Sequence, residues 1–217
     1  MDSITLHLRR GLPAVALALL SGLAFSPDTA EAQWRVGGTG YGSSVRTSGL
    51  LGTTTQSPAA TLPSNGGYAV GETQSFGVPN VVNAAWLTAV TTGNASNGEP
   101  ASSQTISEVE NANILNGLVR ADNVTAIASS HAGNDGAGSN ADGSGFVNLI
   151  VNGTPITTEV APNTRIDVPL VGYVVLNEQI RSGDGVSSSS IRVNMVHVRL
   201  LNGTEVILGS ASSSVAR

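Results

Sequence analysis

The chain has 217 residues, a hydrophobic fraction of 40% and a formal net charge of −5 at pH 7. An acidic chain whose positive charge consists of scattered arginines lacks the basic patch that binds nucleic acid or an anionic membrane surface, so both kinds of partner are excluded. The absence of cysteine excludes disulfides, lipoprotein acylation and thiolate metal sites.

Residues 1–32 have the three parts of a secretory signal peptide. "MDSITLHLRR" supplies the positively charged start, and "GLPAVALALLSGLAF" is an apolar stretch too short to span a bilayer core of roughly 30 Å. Ala30 and Ala32 fit the small-x-small cleavage rule, so we predict removal before Gln33. The final "GSASSSVAR" has no apolar tail. We therefore expect an exported protein, extracellular or associated with the cell surface, with no C-terminal anchor and no membrane insertion after signal removal.

The segment 33–75 is rich in Gly, Ser and Thr and is interpreted as the N-terminal part of the domain. Pro58 and Pro63 interrupt it, so its composition fits either a flexible linker or a set of short strands. The main β domain is expected at residues 76–217. Its first element, "VPNVVNAAWLTAVTTG", fits a short helix or a strand, and the pattern leaves that choice open.

Alternating apolar and polar residues then predict strands as far as the C-terminus. Asn152-Gly153 predicts a type I′ hairpin turn, and Asn202-Gly203 predicts a second hairpin turn of the same kind. Between them, Pro169 and Gly172 predict an edge strand, a bulge or a bend. Short strands, Gly/Asn turns and no βαβ rhythm predict an all-β fold. We expect an antiparallel β-sandwich, jelly-roll or Greek-key-like, with long Gly/Asn/Asp/Ser-rich loops.

The stretch "HAGNDGAGSNADGSGF" at 131–146 has two interpretations. The preferred one is a long connection between strands, because Asn and Asp tolerate left-handed backbone and form Asx turns. The other is a calcium site, since Ca²⁺ prefers oxygen ligands. The EF-hand pattern does not apply, because no Glu closes the loop at the required spacing. Its ligands would be the side chains of Asn134, Asp135, Asn140 and Asp142. Apart from calcium, the sequence predicts no cofactor.

Catalytic machinery is scarce after the signal peptide. Only His131 and His197 can serve as histidine bases there, no Gly-x-Ser-x-Gly nucleophile elbow occurs, and His197 is interpreted as an ordinary strand residue. Two carboxylates suffice for glycoside hydrolysis, and the pair considered for it is Glu178 with Asp167 or Asp184. The preferred interpretation of Glu178 is a polar strand end. We therefore expect a non-enzymatic protein without catalytic or cofactor-binding residues.

Four segments in order resemble the choice-of-anchor P family of exported bacterial proteins. They are "LNGLVRADNVTAIASS", "VNLIVNGTPI", "APNTRIDVPLVGYVVLNEQ" and "IRVNMVHVRLLNGTEVILGSA". The resemblance extends from Gly38 to Val215 and implies an exported, β-rich surface or secreted domain. Its members carry variable C-terminal sorting signals, whereas no sortase-type motif or Pro-Glu-Pro tail is found here. The resemblance therefore implies export, and it implies no active-site residues.

Three functions fit these expectations. The first is a secreted or surface-associated structural or interaction protein of the bacterial envelope or extracellular matrix. The second is an extracellular module that binds polysaccharide or calcium, and exposure of Trp34, Trp86 or Tyr173 beside a polar groove would favour sugar. The third is a fibre subunit in which residues 33–51 donate a strand to a neighbouring copy. For that segment, an ordinary first strand in its own domain is preferred.

Overall fold

The computed structural model describes residues 33–48, 52–95, 100–156 and 159–217. The predicted signal peptide lies outside the described residues. The described residues belong to one compact unit and form two antiparallel sheets packed together, which confirms the predicted all-β sandwich. They contain one short 3-10 turn, Leu115–Gly117, and no α-helix.

Sheet A contains the first two and the last four of the strands, which are numbered in chain order. They are β1 (Arg35–Arg46), β2 (Thr54–Thr61), β11 (Thr164–Val168), β12 (Gly172–Ser182), β13 (Ser188–Leu200) and β14 (Glu205–Ala216). Their spatial order is β11-β12-β13-β14-β1-β2. β1 lies between β14 and β2, so the first strand is paired on both sides within its own chain.

Sheet B contains the strands between these two groups. They are β3 (Gly66–Val78), β4 (Val82–Asn94), β5 (Ala101–Ile114), β6 (Val119–Gly133), β7 (Gly136–Asn140), β8 (Gly145–Val147), β9 (Ile150–Val151) and β10 (Thr154–Pro155). β3 to β6 form a meander, and β7, β8 and β9 pair with successive parts of β6. Sheet A contains a second meander, β11 to β14. Neither meander contains the long return connection of a Greek key.

Three segments that the sequence left open or assigned to a loop form strands. Residues 33–75 supply β1, β2 and most of β3, and the segment 78–93 forms a turn followed by β4. The stretch 131–146, interpreted as a long connection, instead contains a hairpin, because β6 continues to Gly133 and β7 returns beside it. The Gly and Ser residues of β7 show no apolar alternation, so its pairing with β6 is invisible in the local sequence.

The predicted turns occur where the sequence places them. Asn152 and Gly153 have φ values of 48° and 79°, as a type I′ turn requires, so that prediction is confirmed. At the second hairpin only Gly203 has a positive φ, and Asn202 Oδ1 instead accepts a backbone N–H two residues further on. The second turn is therefore not type I′. Pro169 lies in the turn after β11, which is the edge strand of sheet A.

The inner faces of the two sheets enclose an aliphatic core. Its largest fully buried side chains are Leu87, Ile114, Leu149, Leu176, Ile191, Met195 and Leu208. Burying a side chain of this size stabilises the fold by about 1.5–3 kcal/mol. Elsewhere small residues bring the sheets closer together. A Cβ on Gly40 would lie 2.8 Å from Thr105 Cγ2 and 3.5 Å from Ala89 Cβ, so glycine allows β1 to approach β4 and β5.

In sheet A the inside–outside alternation of side chains shifts by one residue along a row that crosses three adjacent strands. At this row two consecutive residues of each strand face inward, within a longer run of buried residues: Gly42–Ser43 on β1, Met195–Val196 on β13 and Leu208–Gly209 on β14. Register pairs Val196 with Leu208 and Leu208 with Ser43, so the three shifts are side by side. The inner surface of sheet A is therefore locally convex.

In sheet B the inside–outside alternation of side chains shifts in the opposite sense. On β4 and β5 two consecutive residues point outward, Ala85–Trp86 and Glu110–Asn111, and both Trp86 and Asn111 have left-handed backbone. On β6 the consecutive outward residues are Asp122 and Asn123, and a Cβ on Gly209 would lie 3.0 Å from Cγ1 of the adjacent Val124. The two rows therefore face each other, and the inner side of sheet B wraps around the convex side of sheet A. Extra residues in a strand bend it in this way.

Gly209→Ala should destabilise the domain by about 1–3 kcal/mol, because alanine at a φ of 62° is strained and its Cβ would press on Val124. Gly77→Ala is the matched control, since the nearest atom to that added Cβ is 3.8 Å away. Urea unfolding followed by tryptophan fluorescence measures both variants. Equal stability of the two variants would contradict a close fit between the shifted rows.

Candidate functional site

A group of buried polar side chains lies on the outer side of sheet A at the shifted row. We call Glu178 on β12, Asn194 and His197 on β13, and Ser210 on β14 the polar cluster. Because of the shift, successive outward-facing residues on β13 are three positions apart rather than two, and their side chains converge. Asn194, His197 and Ser210 are therefore only 2–3% exposed, although they point away from the core.

Glu178 is the centre of this cluster. Its Oε2 accepts hydrogen bonds from His197 Nδ1 at 2.8 Å and from Asn194 Nδ2 at 2.6 Å, while Asn194 Oδ1 accepts the Ser210 hydroxyl at 2.7 Å. The hydrogen bond from His197 is the main reason that the pKa of Glu178 lies below its usual value, and partial burial opposes the effect. The cluster thus joins β12, β13 and β14 across the shift.

The remaining ring nitrogen of His197 restricts what the cluster can do. Nε2 is buried and has no hydrogen-bond partner among the described residues. A histidine base must reach the proton that it abstracts. With Nδ1 bound to Glu178 and Nε2 enclosed, the cluster fits a structural role at the shift.

Sequence reasoning missed the polar cluster. It assigned Glu178 to a strand end and His197 to an ordinary strand position, and neither interpretation brought the two together. Register pairs Glu178 with Asn194, and the hairpin spacing between them is a signal that could have been read from the sequence. The contact with His197 depends on the shift in β13, for which the local sequence has no signal.

The outer side of sheet B, which we call the acidic face, is open to solvent. Its side chains are the outward-facing residues of β3, β4, β5 and β6, and its carboxylates are Glu72, Glu108, Glu110 and Asp122. Glu72 and Glu108 are register neighbours of Thr88 on either side, so their Cα atoms are about 10 Å apart. Within the described part of the chain, Glu72, Glu108 and Glu110 form no ion pair.

Trp86 is the most unusual residue of the acidic face. It has a φ of 48°, which is rare for a bulky residue, and its side chain is 58% exposed. The shift places it next to Ala85, which pairs with Glu110. On β3 of the same face, Tyr68 is 74% exposed and Val70 is 48% exposed. The face therefore combines accessible apolar groups with unpaired carboxylates.

The other two aromatic residues considered for sugar binding are less accessible. Trp34 is half-buried, and the guanidinium of Arg217 lies 5.3 Å from the centre of its ring. Tyr173 is also half-buried, with the guanidinium of Arg165 3.8 Å from its ring centre. Of the three rings, Trp86 alone offers an open surface to a ligand.

The four residues of the calcium hypothesis fall into two separate pairs. Asn134 and Asp135 lie in the turn between β6 and β7, whereas Asn140 and Asp142 lie at the other end of β7. The five residues of β7 span about 17 Å. Each pair offers fewer oxygens than the six to eight that calcium prefers. Among the described residues, no group of three or more His, Asp or Glu side chains is arranged to hold a metal ion.

The carboxylates considered for hydrolysis make different local contacts. Asp167 forms an ion pair with Arg165 at 2.6 Å. Asp184 lies in the turn between β12 and β13, where the Ser187 hydroxyl and three backbone N–H groups donate to it and lower its pKa. Glu178 belongs to the polar cluster. Each of the three carboxylates is thus held by its own neighbours.

The fold and its outer surfaces define an all-β sandwich domain with one open acidic and aromatic face. Residues 48–181 match the family described as Domain of unknown function (DUF8256), and the chain belongs to that family. The matched region includes β2 to β11 and most of β12, and so the whole acidic face. No curated protein and no solved structure matches the chain. None of the described residues forms a helix long and apolar enough to cross a membrane.

Glu178→Gln should destabilise the domain by about 1–3 kcal/mol at pH 7, because it removes the charged acceptor of His197 and Asn194. A carboxyl whose pKa is lowered by folding contributes stability above its unfolded pKa and loses it as pH falls through the folded pKa. The difference from wild type should therefore shrink below the usual glutamate value of 4.5. Urea unfolding at several pH values measures this difference.

Glu108→Gln is the control for that experiment, because Glu108 is exposed and forms no ion pair in the described structure. Its effect on stability should stay within about 0.5 kcal/mol. A loss of stability in Glu178→Gln that stays the same from pH 7 to pH 3 would argue against the charged hydrogen bonds of the polar cluster.

Proposed function

We propose that this chain is an exported, non-enzymatic interaction domain of the bacterial envelope or extracellular matrix, and that its partner binds the acidic face. The observation that carries the proposal is the exposure of Trp86 beside unpaired Glu108 and Glu110. An exposed indole loses contact with water when a partner covers it, and unpaired carboxylates select the charge of that partner.

The shape of the acidic face favours a large partner. Its four long strands make it about 14 Å wide, and the 13 residues of β4 extend for about 44 Å. Small molecules are normally bound in concave pockets that enclose most of their surface. An open sheet of these dimensions suits an extended polymer or a second folded domain.

A non-enzymatic role is supported by the polar cluster. It contains the pairing of a carboxylate with a histidine that acid–base catalysis often uses, yet His197 is only 3% exposed. The exposed groups of the acidic face are suited to binding.

Export is supported by the pattern of residues 1–32 and by the resemblance to the choice-of-anchor P family. Cleavage before Gln33 would leave every described strand intact, since β1 begins at Arg35. The proposed mature protein would thus keep its complete sandwich. Because β1 is paired on both sides, the arrangement also favours a first strand that stays in its own domain.

Polysaccharide binding is the second candidate, and the exposed ring of Trp86 favours it. Gln74 on β3 and Asn111 on β5 are exposed on either side of β4, which carries Trp86, and can exchange hydrogen bonds with hydroxyl groups. Aromatic faces pack against the apolar side of sugar rings. A polymer of neutral sugars would use the ring and the amides and would leave the carboxylates solvated.

Produced with its own leader in a bacterium, the protein should be exported with Gln33 as its first residue, because Ala30 and Ala32 fit the signal peptidase. Ala32→Arg should leave the precursor uncleaved. N-terminal sequencing and fractionation of the cells measure both results. An exported wild-type protein that retains residues 1–32 would contradict the signal peptide.

The purified mature domain should sediment with isolated envelopes of the producing bacterium, and Trp86→Ala should weaken this binding about tenfold or more, as loss of an interface aromatic does. The matched control is Leu201→Ala, since Leu201 is 76% exposed but lies in the turn between β13 and β14. Competition by neutral polysaccharide purified from the envelope would identify the second candidate. Equal binding by the Trp86 and Leu201 variants would remove the acidic face from the proposal.

A further inference from the structure

The charged side chains of this domain are divided between its two sheets. The arginines on or next to the strands of sheet A are Arg35, Arg46, Arg165, Arg181, Arg192, Arg199 and Arg217. The described strands of sheet B carry one arginine, Arg120. The carboxylates of the acidic face are on β3, β5 and β6 of the same sheet. The domain is therefore more acidic on one outer side and more basic on the other.

The outer side of sheet A, which we call the arginine face, presents five of these side chains. They are Arg35, Arg46, Arg165, Arg192 and Arg199. Three of them form ion pairs within this face. Arg46 and Arg199 share Glu205 at 3.6 Å and 3.3 Å, and Arg165 pairs with Asp167. Arg35 and Arg192 are exposed and have no carboxylate partner within the described structure.

Arg192 also has an exposed apolar neighbour. Register pairs it with Ile180 on β12, which is 52% exposed. The arginine face therefore offers an unpaired guanidinium next to an accessible aliphatic side chain. The acidic face offers the complementary combination, an indole at Trp86 next to the unpaired carboxylate of Glu110.

We propose that the partner of the acidic face is a second copy of this chain, which binds with its arginine face. The inference rests on the proposed function in that it uses the same binding surface. Guanidinium groups pair with carboxylates and stack on aromatic rings, as Arg165 and Arg217 already do within the domain. The arginine face thus carries the guanidinium groups that the carboxylates and the indole of the acidic face bind.

The position of the two faces determines the kind of assembly. They lie on opposite sides of the sandwich, so a contact between them uses different surfaces of the two copies. The resulting pair still has one acidic face and one arginine face uncovered. Such heterologous contacts add further copies in an open row unless they close into a ring. Each copy keeps all of its strands, which distinguishes this assembly from strand donation.

Association of this kind depends on salt and on protein concentration. Exposed ion pairs are individually weak, and the Debye length falls from about 30 Å at 0.01 M to about 3 Å at 1 M ionic strength. In sedimentation velocity the wild-type mature domain should shift from monomer to larger species as its concentration rises at low salt. It should return to monomer at high salt.

Charge reversal separates the two faces. Glu72→Arg with Glu108→Arg makes both faces basic, and Arg35→Glu with Arg192→Glu makes both acidic. Each double variant alone should stay monomeric at low salt, because like-charged faces repel. Mixed in equal amounts, they should form larger species again, since each face then meets one of opposite charge.

The matched control is Asp135→Arg with Asp142→Arg, which changes the net charge as much as the first double variant does but lies in turns outside both faces. It should associate as wild type does. Circular dichroism and urea unfolding establish that every variant is folded. Association that the control loses equally would reflect net charge alone and would overturn the proposal, as would a wild-type domain that stays monomeric at low salt and high concentration.

Envelope sedimentation distinguishes this proposal from the proposed function. If the wild type is monomeric and Trp86→Ala still reduces envelope binding, the acidic face binds a foreign partner and the self-association is wrong. If the wild type associates and Trp86→Ala binds envelopes as well as wild type does, the face serves contact between copies alone. The first outcome overturns self-association. The second upholds it and removes the envelope partner from the proposed function.

Discussion

The matched shift of side-chain alternation in the two facing sheets is the constraint on which the rest of this structure depends. Sheet A places an additional residue inward at the shift, and sheet B places one outward at the same level. The two inner surfaces fit closely because Gly42 and Gly209 have no side chains where β1 meets Leu87 and β14 meets Val124. A bend in one sheet without its counterpart would leave a cavity or a clash, and protein interiors tolerate neither without a cost in stability.

The same shift has opposite effects on the two outer surfaces. On sheet A it draws outward-facing side chains together, so that Glu178, Asn194 and His197 satisfy one another away from solvent. On sheet B it pushes Trp86 out beside Glu110 and leaves both accessible. One feature of the backbone therefore closes the polar cluster and opens the acidic face.

The predictability of the fold varied with the range of the interactions involved. The turn at Asn152-Gly153 was predictable because two adjacent residues with left-handed backbone define it. The strand β7 was not, because its stability comes from hydrogen bonds to β6 rather than from its own side chains. For the candidate site, the sequence could nominate Trp86 and Glu178 as chemically interesting. Their exposure and partners depend on how neighbouring strands align.

The sequence by itself determined the properties that arise from composition and short-range geometry: an acidic chain without cysteine, a start that predicts export, antiparallel strands and the positions of the two Asn-Gly turns. Only the tertiary structure decided which charges share a face, since Arg35 and Arg192 reach the same side of sheet A through the pairing of β1 and β13 with β14. It also decided that His197 is enclosed while Trp86 is exposed. The physical reason is that strand register and the shifted rows, set by packing between the sheets, determine the direction of each side chain.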